Sequence, residues 1–126
     1  MAKILVADDE APILDLVRQT LAGHTVVTAA NGKDALARIR SEMPDLIVLD
    51  IDMPGMDGLA VCKAVKLDPN LRRIPVLMLT GHSAFGATED SFSVRADDYI
   101  SKPFSTRILA ARINELLKKK QPPAGA

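Results

Sequence analysis

Four short strand-like stretches of this 126-residue chain end in side chains able to do chemistry, and three of the four are apolar runs. Asp8 and Asp9 follow KILVA, Asp50 closes DLIVLD with Asp52 two residues on, Thr80 closes IPVLMLT, and Lys102 and Pro103 follow DDYIS. Carboxylates gathered in one place repel one another, so such a cluster makes sense chiefly around a divalent cation. Oxygen-only donors with no His or Cys nearby suit a hard ion, Mg2+, with Mn2+ as a substitute. A lysine charge and a hydroxyl donor added to that set describe a phosphoryl-transfer site, where catalysis is mostly positioning and neutralisation of charge. The stretch DLIVLDIDMPGMDG does not by itself say which of Asp50, Asp52 and Asp57 is reactive. Nucleophile with helper, metal site and solvated loop all fit it, although Asp57 in GMDG is best placed to shape the turn and cap the next helix.

Whether these residues meet depends on the elements that carry them. Short apolar runs alternate with helical periodicities, the pattern of a parallel sheet covered on both faces. KILVA, HTVVTA, DLIVLD, IPVLMLT and DDYIS read as five strands. APILDLVRQTLAG reads as a helix with Ile13, Leu14, Val17 and Leu21 on one face and Gly23 as its stop. Asn31 is placed to cap GKDALARIRSE, in which Ala35, Leu36 and Ile39 turn inward and Pro44 marks the exit. DGLAVCKAVKLD gives a third helix and STRILAARINELLKKK a long last one, whose Lys118 to Lys120 complement the helix dipole. A helix drawn from SAFGATEDSFSVR has poor local propensity and is expected to be irregular. The fold class is therefore α/β, a doubly wound five-stranded parallel sheet with helices on both faces, and the expected strand order is 2-1-3-4-5, flavodoxin-like, one of the two common orders for such sheets. In such a sheet ligands sit beyond the carboxyl ends of the strands where strand order reverses, and that rule brings the residues of the opening paragraph to one crevice.

Composition narrows the function classes. One domain is expected over residues 1–120, with 121–126, QPPAGA, as a flexible tail or the start of a linker. Sixteen basic residues balance 16 acidic ones and aromatics make up 3%, which argues against nucleic-acid binding within this chain and against a membrane surface. The apolar runs are too short to span a bilayer. A lone cysteine, Cys62, and the lack of a signal region point to a cytoplasmic protein, with Cys62 and the methionines as packing residues.

The blocks ILVADDE, DLIVLDIDMPGMDG, VLMLT and DDYISKPF together resemble the receiver domain of two-component response regulators, in order over residues 3 to about 118. The resemblance implies that Asp50 is the phosphoryl acceptor and that Asp9 ligates Mg2+ directly, with Asp8 acting largely through water. It implies that the main-chain carbonyl of Asp52 is a further ligand and that Thr80 and Lys102 contact the phosphoryl oxygens. Tyr99 would be the aromatic whose rotamer follows Thr80, and the Lys102-Pro103 bond would be cis. It further implies a sensor histidine kinase or phosphotransfer protein as donor, and output through the surface of the fourth helix, fifth strand and fifth helix. That surface would meet a downstream protein target or a missing output domain, or form a phosphorylation-dependent dimer. Such a chain is a signalling domain that assists its own phosphorylation and dephosphorylation, not an enzyme in the ordinary sense.

Three departures and two rival readings stand beside this. Gly81 replaces the usual small Ala after Thr80, which should leave access to the site open, and Arg95 and Gly86 make the fourth helix hard to anticipate. Asp52 and His82, each two residues beyond a site residue, are expected to tune the lifetime of the phosphorylated state. LIVLDIDMP also fits the Asp-x-Asp start of a haloacid-dehalogenase-like phosphatase, against which stand Pro54 and the motif's place on the third strand. The remaining rival is a pseudo-receiver, a binding module of the same fold that never carries phosphate.

Overall fold

A computed structural model describes residues 2–81 and 96–120. Their elements run β1 (Lys3–Ala7), α1 (Ala11–Thr20), β2 (Thr25–Ala29), α2 (Gly32–Glu42), β3 (Leu46–Asp50), α3 (Gly58–Leu67), β4 (Val76–Thr80), β5 (Asp98–Ser101) and a C-terminal helix α4 (Thr106–Lys120). The sheet is wholly parallel, as the alternation of motifs predicts, and its order is the expected β2-β1-β3-β4-β5. The weak helix expected between β4 and β5, with Gly86 and Arg95, lies outside the described residues.

Each central strand is apolar throughout because its two faces feed two different cores. Leu5, Ile47, Leu49 and Met78 point to the side covered by Ala35, Leu36 and Ile39 of α2 and Val61, Cys62 and Val65 of α3. Ile4, Val6, Val48, Leu77 and Leu79 point to the other, covered by Val17 of α1 and Leu109, Ile113 and Leu116 of α4. The caps follow the local sequence. Asn31 Oδ1 accepts from the Asp34 N–H (2.8 Å) and Asp57 Oδ1 from the Ala60 N–H (2.8 Å), so two orphan helix-start donors are satisfied by side chains. α1 ends earlier than its apolar pattern suggests, at Thr20, with Leu21 as its buried cap and Gly23 in the turn that follows.

The short edge strand β5 needs help to stay in register, and α3 supplies it. Lys66 Nζ donates to Asp97 Oδ2 (2.9 Å) and to the carbonyls of Ile74 (2.9 Å) and Arg72 (3.2 Å). Asp97 Oδ2 also accepts the Val76 N–H (2.7 Å), while the Asp97 N–H donates back to the Val76 carbonyl (2.9 Å). The start of β5 is thus tied to β4 and α3, and its far end delivers Ser101 beside Thr80.

Leu49, fully buried on the central strand, reports on this packing. Leu49→Ala is expected to lower stability by about 2–5 kcal/mol in urea denaturation, from lost transfer energy and the cavity left behind. A loss under roughly 1 kcal/mol would mean that the two-faced core is not the main source of stability.

Candidate functional site

The sheet's carboxyl edge brings together residues far apart in the chain. Register pairs Ala7 with Leu49, Asp50 with Leu79 and Thr80 with Ser101, so Asp8, Asp50, Thr80 and Lys102 all leave the sheet at one level. Asp8 is wholly buried. Its Oδ1 accepts the Glu10 N–H (2.9 Å) and its Oδ2 accepts from Lys102 Nζ (2.8 Å). Asp50, 3% exposed, accepts the Asp52 N–H on Oδ1 (3.2 Å), and the same oxygen lies 3.3 Å from Lys102 Nζ. Asp9 is exposed, yet Asp8, Asp9 and Asp50 can each offer one carboxylate oxygen within 4.8 Å of the others.

Backbone contacts fix this arrangement. The Lys102 N–H donates to the Thr80 carbonyl (2.6 Å), extending the β4–β5 ladder by one residue, and the Lys102-Pro103 bond is cis. The loop after β3 is pinned at both ends: the Ile51 N–H donates to the Leu79 carbonyl (3.1 Å), and the Ile51 carbonyl accepts the Gly58 N–H (3.0 Å). Gly58 sits so near Asp50 that a Cβ there would collide with the Asp50 carbonyl, so the start of α3 can pack against the end of β3 only as glycine. Thr80 is buried, and its hydroxyl has no hydrogen-bond partner among the described residues.

The crevice opens into a cavity of about 670 Å³ with Asp9, Asp50, Asp52 and Lys102 on its polar side. Three features of it were not legible in the sequence. Glu10 joins the polar wall, its Oε2 3.8 Å from Lys102 Nζ. Ile13 and Leu16 of α1 and Phe104 form an apolar wall beside the acids. The space freed by Gly81 is taken up in part by Asp52, whose Oδ2 lies 3.3 Å from where a Cβ on residue 81 would stand. The sequence signal for the apolar wall is the i, i+3 spacing of Ile13 and Leu16, which reads equally well as core. Tyr99 pairs with Met78 in register, is half-buried against the α2–α3 core and does not line the cavity. His82 lies outside the described residues.

Electrostatics separate the acids. Burial, and then the charge of Asp8, push Asp50 up from 3.8 to about 6, against the opposing pull of Lys102 and the Asp52 N–H. Lys102 moves up from its ordinary 10.5: desolvation would lower it, but its hydrogen bond and charge contact with Asp8, then those with Asp50, outweigh that cost. Lys102 is the counterion of a crevice that gathers more negative than positive charge. An all-oxygen, acid-rich site of this kind fits Mg2+, which Asp8, Asp9 and Asp50 are placed to bind. Outside the crevice, burial raises the Cys62 thiol to about 11, so it packs as an inert side chain.

A family model described as the response regulator receiver domain matches residues 4–114. The alkaline phosphatase synthesis transcriptional regulatory protein PhoP of Bacillus subtilis is 40% identical over 121 residues, 94% of this chain and 50% of that protein. The chain spans about half the length of the curated relatives it matches. Among solved structures, the chemotaxis protein CheY4 of Vibrio cholerae is 35% identical with a TM-score of 0.85, over 92% of this chain and 98% of that one. The signal receiver domain of a signal transduction histidine kinase from Syntrophus aciditrophicus is 34% identical with a TM-score of 0.89, over 94% and 92%.

The raised Asp50 pKa has a definite sign in stability. A carboxyl easier to protonate when folded contributes stability in full below its unfolded value, and that contribution is lost as pH rises towards about 6. In metal-free protein, the parent should therefore lose on the order of 2–3 kcal/mol relative to Asp50→Asn as pH rises from about 4 to 6.5, and no more above it. Chemical denaturation of both proteins across that range measures it. A difference independent of pH would mean that Asp50 titrates normally. Removing the counterion acts the other way: Lys102→Met should cost roughly 3 kcal/mol near pH 7.5 without metal, by leaving Asp8 and Asp50 uncompensated, with added Mg2+ recovering part of it.

Proposed function

The chain belongs to the response regulator receiver domain family, and from that premise we propose that it accepts a phosphoryl group on Asp50 from a phosphohistidine, in a Mg2+-dependent reaction. The donor is a sensor histidine kinase or a phosphotransfer protein. The observation that carries the reading is the pairing of a buried Asp50 with Lys102 in a crevice that also holds Asp8 and Asp9. Receiver domains are components of two-component systems and act as signalling domains rather than as classical enzymes. Among the described residues no helix is long and apolar enough to cross a membrane; a cytoplasmic location belongs to the proposal.

The chemistry follows from the residues. An oxygen of the ionised Asp50 carboxylate forms a bond to phosphorus as the bond to the donor imidazole nitrogen breaks, giving an acyl phosphate and a free histidine. Near neutral pH most Asp50 is ionised even with a raised pKa. Lys102, already 3.3 Å from Asp50, neutralises charge on the equatorial phosphoryl oxygens, and the Thr80 hydroxyl donates to one of them. Asp8, Asp9, Asp50 and the Asp52 carbonyl would hold Mg2+, which when bound would supply further charge neutralisation. Ile13, Leu16 and Phe104 give the crevice one apolar side.

Signalling is a population shift between two arrangements of one surface. Drawing Thr80 towards the phosphoryl group lets Tyr99 turn inward and reshapes the face made by the segment before β5, β5 itself and α4. Arg112 Nη1, which donates to both carboxylate oxygens of Asp98 (2.8 Å each), ties β5 to α4 so that they respond together. The face then meets a downstream protein, an output domain beyond the receiver or a second copy. The receiver occupies residues 1–120, with 121–126 as a tail or linker. The phosphatase reading loses its footing with family membership, and no observation favours the pseudo-receiver, since every residue that phosphoryl acceptance requires is present.

Incubation with Mg2+ and acetyl phosphate should add a single phosphoryl group, detected by intact mass spectrometry, in the parent and not in Asp50→Asn or in chelator. An unmodified parent would favour the pseudo-receiver. Asp52, reaching across Gly81, and His82 are proposed to set the phosphoryl lifetime. Dephosphorylation rates of Asp52→Ala and His82→Ala should differ from the parent between about pH 6 and 8, the range in which His titrates, and rates within about twofold throughout would leave both as solvated side chains.

A further inference from the structure

The first turn of α2 carries no group that takes part in phosphoryl transfer, yet it touches the loop that does. Gly32, the first residue of α2, is buried, and a Cβ built on it would collide with the Met56 carbonyl oxygen and carbon and reach the Met56 side chain. Its φ lies outside the left-handed region, so close approach is what demands glycine at this position. Met56 belongs to the loop between Asp50 and Gly58 that presents Asp52. The other end of the same loop makes the matching contact, with Gly58 against the Asp50 carbonyl. The loop is therefore gripped at two points where backbone meets a glycine, one from α3 and one from α2.

We propose that Gly32 is a positioning residue for the metal site: the first turn of α2 is a stop against which the β3–α3 loop rests, and through that loop it keeps the Asp52 N–H on Asp50, one of the three carboxylates that converge with Asp8 and Asp9. The stop is stiff because Asn31 locks that turn twice, its Oδ1 accepting the Asp34 N–H (2.8 Å) and its Nδ2 donating to Asp34 Oδ2 (3.1 Å). The position of an alanine Cβ is fixed by the backbone, so a methyl group added at Gly32 cannot turn away from the loop by changing rotamer. The facing atoms are main-chain atoms of the loop, so the loop must move instead. A displaced loop carries the Asp52 carbonyl and the Asp52 N–H that donates to Asp50. This inference rests on the Mg2+ reading of the site and adds to it a control point on α2.

Isothermal titration with Mg2+ of the folded, metal-free chain tests it, with urea denaturation of the same samples as the second readout. Gly32→Ala should raise the Mg2+ dissociation constant about tenfold, the scale of lost support behind metal ligands, at urea concentrations where it remains folded. Gly23→Ala, whose new Cβ meets nothing within 4 Å, should leave the affinity unchanged. A folded Gly32→Ala with parent affinity overturns the positioning role and leaves the metal site standing. A parent that binds no Mg2+ overturns the site reading and this inference with it. If Gly32→Ala does not fold, Asn31→Ala decides, since it loosens the same turn without adding atoms: roughly twofold or more weaker binding supports the stop, and parent affinity overturns it.

Discussion

The structure turns on one ammonium group. Lys102 Nζ stands between the buried carboxylates of Asp8 (2.8 Å) and Asp50 (3.3 Å), and nothing else of positive charge among the described residues reaches either acid within ion-pair distance. Two carboxylates without that cation would be costly to bury, and one would take up a proton. The fold's task is to make their burial tolerable, which it does by ending β1 and β3 side by side in the middle of the sheet and bringing Lys102 from the β5 edge over the top. The resulting site is poised rather than satisfied. Its charge balance is still negative, Asp50 is easier to protonate than an ordinary aspartate, and the Thr80 hydroxyl has no partner among the described residues. A divalent cation and a phosphoryl group would supply the missing charge and the missing acceptor respectively.

Rigid scaffold and adjustable site are divided along the chain. The strands are locked by cores on both faces, and the Lys66–Asp97 clamp fixes where β5 begins. The loops at the carboxyl edge are held by contacts that depend on the absence of a side chain, Gly58 on Asp50 and Gly32 on Met56. Loops can be placed this tightly because main-chain atoms have no rotamers to average over. The cost is that a methyl group at Gly58 would meet the Asp50 carbonyl, and one at Gly32 the main chain of Met56 in the same loop.

Much of this was legible in the residues. Four apolar runs give β1 to β4 because their length and β-branched content tell them from helices, β5 is the shorter and more polar DYIS, and the Asn31 and Asp57 caps follow from local chemistry that needs no tertiary context. The convergence of Asp8, Asp50 and Lys102 follows from the rule for strand ends in parallel sheets. Other features depend on distances between segments, which a linear pattern does not encode. Glu10 beside Lys102, Asp52 filling the space over Gly81, and Met56 against Gly32 are contacts of this kind. The end of α1 at Thr20 is a boundary effect: the apolar spacing continues to Leu21, which is buried as a cap rather than as a further helical turn.

The central claim is that Asp50 is held in an environment that a cation must complete. A carbon-13 NMR titration of the Asp50 side-chain carboxyl, with and without Mg2+, measures that directly. The metal-free protein should titrate near 6, and saturating Mg2+ should move the transition well below that value as the bound charge favours the carboxylate. A metal-free transition near 3.8, unmoved by Mg2+ at millimolar concentration, would contradict the account.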